Sequence, residues 1–264
     1  MNQSKAYYTA REAQDKLGLS KAKFHKMVRQ GLIPKMVLPG MKQGMYPKRD
    51  IDALSLSMSS YMDEIEFSRS SPADLVEEMR IGAKCFGRSF LTPLPEQIIL
   101  QQKSEFSFHS LKVSGRVAGS ISMFHLPDPF LDDVLTSRRT LWEITSKEAL
   151  PFVRLEPFSI YIGTIVIDPD LSPHLQHLYA GIMIVHLIDL LVKMLANDYQ
   201  INQLYTIATT KECVQLVQKL GFQPLVGKSL VPDRIAYKYL LNTEGVQRLQ
   251  KLQHFYRNRL HTFL

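Results

Sequence analysis

Cationic side chains that could bind a polyanion are concentrated at the start of this 264-residue sequence. The first fifty residues hold eleven lysines and arginines against three acids, a net charge of +8, whereas positions 51–264 sum to −1. Five residues in this stretch would share one face of a helix by their spacing: Lys21, Ala22, His25, Lys26 and Arg29. A cationic helix face that includes one short side chain, here Ala22, can contact phosphates and reach base edges in a major groove of DNA.

Two short helices are predicted to present this face. Thr9 and Glu12 have the spacing of a capping box, and the helix that they begin ends at Gly18. Ser20 is placed to cap a second helix, which Gly31 ends in a left-handed conformation. The second helix has an apolar stripe for a small core, formed by Phe24, Met27 and Val28. The result is a helix, a tight turn and a helix.

A β-hairpin is predicted after the second helix, because glycines mark a turn within 39–44. The stretches that carry a family resemblance are Tyr8-Thr9-Ala10-Arg11-Glu12-Ala13, Gly18-Leu19-Ser20, Arg29-Gln30-Gly31-Leu32-Ile33-Pro34 and Tyr46-Pro47-Lys48-Arg49-Asp50-Ile51-Asp52. They resemble the winged helix-turn-helix of the MerR and excisionase families. The resemblance implies that the second helix enters the major groove of double-stranded DNA and that the hairpin from Val37 to Met45 is a wing on phosphate.

We therefore predict six DNA-binding residues: Lys21, Ala22, His25, Lys26, Arg29 and Lys42. The alternative is a solvated pair of basic helices without a ligand. MerR proteins usually continue with a long dimerising helix, but here a Ser-rich stretch follows at 55–71, which leaves a homodimer open.

Beyond residue 71 the sequence alternates between helix and strand patterns. Ser71-Pro72 starts a helix, and later segments predict a hairpin, a strand, a long apolar helix, a strand, a short helix and a final strand. After the first helix, the predicted segments are Leu111–Val113 with Val117–Ile121, Ser159–Asp168, Tyr179–Ala196, Gln203–Thr209, Lys211–Leu220 and Ile235–Leu241. This order predicts a mixed α/β sheet.

Three segments in this region resemble the GNAT N-acetyltransferase superfamily. The strongest is Lys211–Phe222, a helix that ends in Lys-Leu-Gly-Phe; the others are the hairpin at Val113–Gly119 and the strand that ends in Ile165-Val166-Ile167-Asp168-Pro169. The resemblance implies acetyl-CoA or CoA as cofactor, with its pyrophosphate on backbone amides at the start of a helix. The matching positions, in which Tyr179 replaces the first glycine of the family pattern, are Ile167, Gln176, Tyr179, Ala180 and Gly181.

No catalytic residue is predicted. Many GNAT enzymes have a tyrosine as general acid where this sequence has Val217, which cannot donate a proton. Asp168 could be a base, although an aspartate before a proline is more typical of a turn. Enzymatic activity therefore stays open.

Other features predict a cytoplasmic protein without a metal or a membrane span. His174 and His177 lack acidic or thiol partners nearby in the sequence and are interpreted as loop histidines rather than metal ligands. The most apolar run, Gly181–Leu195, is interrupted by charged residues and is expected to be a buried helix. The N-terminus has no signal region, and two cysteines suit a reducing compartment.

We predict an α+β two-domain protein, a small winged helix-turn-helix followed by a GNAT-like α/β mixed-sheet domain. The predicted boundaries are a DNA-binding domain at 1–54, a linker at 55–71, a GNAT-like domain at 72–242 and a C-terminal amphipathic helix at 243–264. That last helix could pack on the domain, form a dimer contact or bind phosphate. The favoured function is a DNA-binding transcriptional regulator whose GNAT-like domain senses a ligand, such as an acyl-CoA, or mediates assembly. The alternative is an acetyl-CoA-dependent N-acetyltransferase that carries a DNA-binding module.

Overall fold

The computed structural model describes residues 6–29, 31–37, 44–52, 54–55, 65–88, 91–227 and 229–263, without the side chains of residues 174 and 258–263. The chain forms two compact units, and the division between them falls after Ile65 and again before Phe255. One unit has a small helical head, and the other is built on a seven-stranded mixed sheet. The predicted α+β two-domain class is confirmed.

The first unit is a helix-turn-helix closed by a two-stranded sheet. Its elements are β1 (Tyr7–Tyr8), α1 (Ala10–Leu17), α2 (Lys21–Arg29) and β2 (Tyr46–Pro47), and residues 48–52 and 54–55 are helical. The predicted capping box forms, because the Glu12 amide donates to Thr9 Oγ1 at 3.3 Å and the Thr9 amide donates to the Glu12 carboxylate at 2.7 Å. Gly18 ends α1 with a φ of +62°, where a side chain would be strained.

A small apolar core holds these elements together. It consists of Ala13, Leu17, Leu19, Phe24, Ile33, Tyr46 and Ile51. Phe24 is fully buried and meets the Tyr46 ring edge-on at 4.9 Å between centroids, which joins α2 to β2. The packing of Phe24 therefore determines which side of α2 faces outward.

The sheet of the second unit has the strand order β3-β4-β5-β6-β7-β9-β8. The strands are β3 (Ile65–Arg69), β4 (Phe108–Val113), β5 (Arg116–Phe124), β6 (Pro157–Ile167), β7 (Gln200–Ala208), β8 (Gln223–Pro224) and β9 (Ile235–Leu240). Strands β6 and β7 are parallel, and β4–β5, β5–β6, β7–β9 and β8–β9 are antiparallel.

Five helices connect these strands within the described ranges, and a sixth follows the last strand. They are α3 (Pro72–Phe86), α4 (Leu94–Lys103), α5 (Asp128–Leu135), α6 (Pro173–Ala196), α7 (Lys211–Leu220) and α8 (Thr243–Phe263). Strand β3 occupies positions expected to be linker, and α4 and α5 were not expected from the sequence. In α8, Leu249 is buried, and Tyr239 donates to the Gly245 carbonyl at 2.8 Å.

Helix α6 is the long apolar helix of the second unit. By length and composition alone it could cross a membrane, which the interrupted apolar run had not suggested. In the structure, however, Met183, Leu187 and Leu191 are buried, and the helix packs on β5 and β6. This packing is typical of a core helix on a sheet.

Three aromatic rings stack between β3, β4 and α6. The Phe67 ring lies parallel to His109 at 5.4 Å and to His186 at 4.9 Å between centroids. Burial lowers the pKa of His109 to about 4, and its Nδ1 atom is buried without a hydrogen-bond partner among the described residues. The folded state therefore holds His109 neutral at pH values where the unfolded chain binds a proton.

We expect His109→Phe to remove part of the acid sensitivity of the second unit. Because the folded pKa lies below the ordinary value of 6.5, the wild type loses stability as pH falls from 6.5 toward 4. The free energy of unfolding of the variant, relative to the wild type, should rise by about 2 kcal/mol between pH 7.5 and pH 5. Urea unfolding followed by the fluorescence of Trp142, the single tryptophan, measures this difference. A difference that does not change with pH would contradict the prediction.

Candidate functional site

The outward face of α2 carries the cationic residues of the first unit. Its five predicted DNA-contacting side chains, Lys21, Ala22, His25, Lys26 and Arg29, are all exposed. On the opposite side, Phe24 is buried, and Met27 and Val28 pack against the core. The Arg29 Nε atom donates to the His25 carbonyl at 3.4 Å, which holds its guanidinium along the helix. The structure thus brings these five residues together on one open surface, while Lys42 lies outside the described residues.

The base of the predicted wing lies beside this face. Met36 and Met45 exchange two backbone hydrogen bonds, of 2.8 and 2.7 Å, as antiparallel partners do. A concavity of about 440 Å³ lies between α2 and this base, and its lining includes His25, Arg29 and Lys35. Lys35 was not among the predicted contacts, although its charge beside the predicted hairpin could have indicated it.

Lys23 lies on a different side of α2. It is half-buried, and burial lowers its pKa to about 8. Its charge is therefore less fully developed near neutral pH than that of an exposed lysine. The positive potential of α2 is carried mainly by the outward face.

In the second unit, the parallel strands β6 and β7 separate at their carboxyl ends. Their pairing ends with Ile162 opposite Thr206, whereas β6 continues to Ile167. Gly163, Thr164 and Ile165, beyond that point, are half-exposed. In open sheets, ligands bind outside the carboxyl ends of parallel strands where the chain crosses to either side. This divergence is the first candidate ligand site.

The segment predicted to bind pyrophosphate lies inside α6. The helix begins at Pro173, and the Ser172 side chain accepts from the Leu175 amide as its cap. The Gln176 amide already donates to the Ser172 carbonyl at 2.9 Å. Tyr179, Ala180 and Gly181 follow within the helix, where backbone amides are used by carbonyls one turn earlier. These residues consequently form no nest of free amides.

The side chains of the predicted cofactor-binding residues contact other parts of the protein rather than an open site. The Gln176 amide group donates to the carbonyls of Pro169 at 3.1 Å and Leu171 at 2.7 Å, which ties it to its own loop. Tyr179 is 1% exposed and packs in the core. Ile167, the last residue of β6, is half-buried, and its carbonyl lies 3.9 Å from the Cys85 sulfur.

The loop between β6 and α6 is acidic and is held by α3. Arg80 donates to Asp168 at 2.7 Å, and Lys84 pairs with Asp170. Burial opposes the ionisation of Asp168, but the hydrogen bonds from Arg80 and from the Asp170 amide outweigh it and lower the pKa of this carboxyl. Asp168 is therefore an ion-paired turn residue, which matches the turn interpretation rather than that of a base.

This junction does not fit the diphosphate of coenzyme A. A diphosphate requires free amides or unpaired cations at the strand–helix connection. Here Asp168 and Asp170 occupy the connection, their cationic partners are engaged, and the first helical residue, Pro173, has no N–H group. In α7, Val217 stands where the family resemblance implied a tyrosine.

A second candidate site is a cavity of about 40 Å³ between α3 and the sheet. Its floor includes Glu78, which is 7% exposed. Ser70 and Ser110 donate to the same oxygen, Glu78 Oε1, at 2.5 and 2.6 Å. Burial raises the pKa of Glu78 to about 7, although these serine hydroxyls and that of Ser120 favour its charged form.

Sequence reasoning missed Glu78, but a signal was present. Glu78 lies one helical turn from Leu75 and Gly82, both of which are buried. A carboxylate in the apolar stripe of an amphipathic helix must be buried, so it needs a specific partner or a function.

Histidine, cysteine and acidic side chains are spread over the described part of the chain. No group of three or more histidine, cysteine or acidic side chains there lies close enough to hold a metal ion. The His177 Nδ1 atom lies 2.6 Å from the Pro173 carbonyl, within its own helix.

One family comparison identifies the first unit. Residues 7–54 match the sequence profile of a family described as a helix-turn-helix domain. The chain therefore carries a helix-turn-helix domain over these residues, as the sequence predicted. No curated protein matches the chain.

Several solved protein structures are similar to this chain. N-acetylglutamate synthase from Neisseria gonorrhoeae, complexed with coenzyme A and N-acetyl-glutamate, is 11% identical over 67% of this chain and 35% of its own, with a TM-score of 0.41. An N-acetyltransferase from Staphylococcus aureus Mu50 is 14% identical over 67% and 99%, with a TM-score of 0.42. AtaTR bound with AcCoA is 16% identical over 72% and 99%, with a TM-score of 0.43. This chain thus spans about a third of the Neisseria enzyme, and the bound ligands are properties of those proteins.

Proposed function

We propose that this chain is a DNA-binding transcriptional regulator whose GNAT-like unit binds a small ligand or mediates assembly. The observation that carries the proposal is the exposed cationic face of α2 on a helix-turn-helix domain. Phosphate contacts by lysine and arginine supply most of the affinity of such a face, and side chains that reach base edges supply sequence preference. The partner is double-stranded DNA, and the compartment that suits this partner is the cytoplasm.

The sensing role of the second unit rests on its altered chemistry. The connection that would hold a diphosphate is occupied by two ion-paired aspartates, and Val217 cannot protonate a leaving thiolate. A partly open cavity with a buried carboxyl remains available for a ligand. A cavity beside a site without the family's general acid favours ligand binding over turnover.

The proposed mechanism couples the two units through assembly. In a homodimer, ligand binding would favour one spacing of the two α2 helices, and that spacing must match adjacent half-sites about one helical turn apart. A ligand can change DNA affinity only as far as it binds one arrangement better than the other.

The second candidate function is an acetyl-CoA-dependent N-acetyltransferase carried by a DNA-binding module. The separation of β6 and β7 beyond Ile162 favours it, because this opening could admit an extended acyl chain along β6. A MerR-like regulator and an acetyltransferase predict opposite results when the binding and turnover of acetyl-CoA are measured.

For acetyl-CoA titrated into the whole protein, we expect a dissociation constant above about 1 mM, which corresponds to a binding free energy of about −4 kcal/mol. Binding should be this weak because the junction lacks free amides for the diphosphate. Thiol release with a panel of primary amines should not exceed that of a protein-free sample. Calorimetry and a thiol-reactive dye measure these quantities, and DNA binding by the same sample controls for its integrity. Turnover of acetyl-CoA would replace the sensor proposal with the enzyme.

A further inference from the structure

The cavity beneath α3 contains a carboxyl group without a cationic partner in its lining. The described residues that line it include no lysine, arginine or histidine. Polar groups of Glu78, Ser120, Ser122, Thr164 and Gln97 lie among apolar walls. Ser122 and Thr164 are joined by a hydrogen bond of 2.8 Å. The cavity therefore offers hydrogen-bond acceptors and one potential negative charge.

The arrangement of Glu78 favours a cationic ligand. Ser70 and Ser110 both donate to Oε1, and the Ser120 hydroxyl, which lines the cavity beside Glu78, also hydrogen-bonds to this carboxyl. Hydroxyl groups can solvate a carboxylate but cannot neutralise it, and an uncompensated buried charge is costly. A ligand that brings a positive charge would remove this cost, whereas an anion would increase it.

We propose that this cavity binds the ammonium group of a short alkylamine, with the Glu78 carboxylate as its counter-ion. A primary ammonium carries three N–H donors, and Glu78 shares the cavity lining with the hydroxyl groups of Ser122 and Thr164, which are further acceptors. A volume of about 40 Å³ admits two or three water-sized groups, which corresponds to the ammonium and one or two methylenes. The remainder of the chain would lie against Phe86 and Leu141 at the more exposed side of the cavity.

The pocket itself is independent of DNA binding, and only the further step that this amine is the effector rests on the proposed function. The pH dependence of binding follows from the pKa of Glu78, which burial and the negative charge of Asp74 on the same helix both raise. Because only the carboxylate binds an ammonium ion, affinity should fall as pH drops below about 7, approaching tenfold per pH unit.

The test uses the full chain with n-propylamine as the probe and 1-propanol as its neutral counterpart. Calorimetry and thermal unfolding at pH 8 should show saturable binding of the amine and at least tenfold weaker binding of the alcohol. Glu78→Gln should weaken amine binding at least tenfold. The matched control is Glu77→Gln on the same helix, a side chain half-exposed and paired with Arg80, which should leave binding unchanged. Equal binding of amine and alcohol, or unchanged amine binding by Glu78→Gln, would overturn the proposal.

A second variant keeps the proposal testable if Glu78→Gln misfolds. If Glu78→Gln does not show the Trp142 fluorescence of the wild type, Thr164→Leu fills the cavity from the half-exposed part of β6 and should also exclude the amine. Binding of the amine by Thr164→Leu with wild-type affinity would likewise overturn the proposal.

DNA affinity measured with and without the amine separates the two levels of inference. Amine binding without any change in DNA affinity would support the pocket and overturn its role as effector site. No amine binding, with intact DNA binding, would overturn the pocket and leave the DNA-binding function standing.

Discussion

Replacing Lys26 and Arg29 together with alanine is expected to weaken binding to duplex DNA roughly 30-fold or more. Each side chain lies exposed on the outward face of α2, and each such contact contributes about 1–3 kcal/mol. The loss should be largest at low salt, where phosphate contacts are strongest, and the slope of log Kd against log salt should decrease by about 2. Mobility-shift or anisotropy titrations over a salt series measure both quantities.

The matched control removes the same charge from the other unit. Lys211 and Lys219 are exposed on α7, and their double alanine variant has the same net charge as the α2 variant. If net charge alone determined affinity, both variants would be weakened equally. The location of charge on α2 predicts that the α7 variant binds like the wild type. Equal losses in the two variants would contradict the assignment of the DNA-binding face.

The helix-turn-helix could be predicted from sequence because its signals are local. The capping box of Thr9 and Glu12 and the glycines at 18 and 31, which adopt positive φ angles, determine where helices start and end without help from distant residues. The apolar spacing of α2 then determines which face is exposed. The exposure of Lys26 and Arg29 follows from those few residues.

The second unit was less predictable because its elements depend on tertiary contacts. Helices α4 and α5 begin after Pro93 and Pro127, neither of which provides a side-chain cap. Strand β3 is five residues long and lies within the Ser-rich stretch at 55–71. Such segments become ordered by packing on the sheet, and their local patterns alone do not indicate it.

The position of the predicted pyrophosphate segment within α6 could have been predicted from the Ser-Pro pair that precedes it. Ser71-Pro72 was interpreted as a helix start, and α3 begins at Pro72 with the predicted cap. The same pair recurs as Ser172-Pro173, and α6 begins there for the same reason. A family motif placed three residues further on therefore falls within a helix, where its glycine cannot open a loop.

Glu78→Gln is expected to change how the stability of the second unit depends on pH. Because the folded pKa of Glu78, about 7, lies above its ordinary value of 4.5, the stability that it contributes is present below pH 4.5 and is lost as pH rises to 7. The loss amounts to about 3 kcal/mol at pH 8. Glutamine can keep hydrogen bonds with Ser70 and Ser110 but cannot ionise. The variant should therefore gain about 3 kcal/mol relative to the wild type between pH 4.5 and pH 8.

The titration of His109 changes stability with pH in the opposite direction to that of Glu78, which makes the effect of Glu78→Gln easier to distinguish. As pH rises from 5 to 6.5, the wild type gains stability through neutral His109 and loses it through Glu78, so its unfolding free energy should stay nearly level. In Glu78→Gln only the histidine effect remains, and stability should rise by about 2 kcal/mol over the same range. Urea unfolding monitored at Trp142 distinguishes these profiles, with Glu77→Gln as the control for an exposed carboxylate on the same helix. Parallel profiles for the wild type and Glu78→Gln would mean that Glu78 is ionised in the folded protein without cost, and the case for a cationic ligand in its cavity would be lost with it.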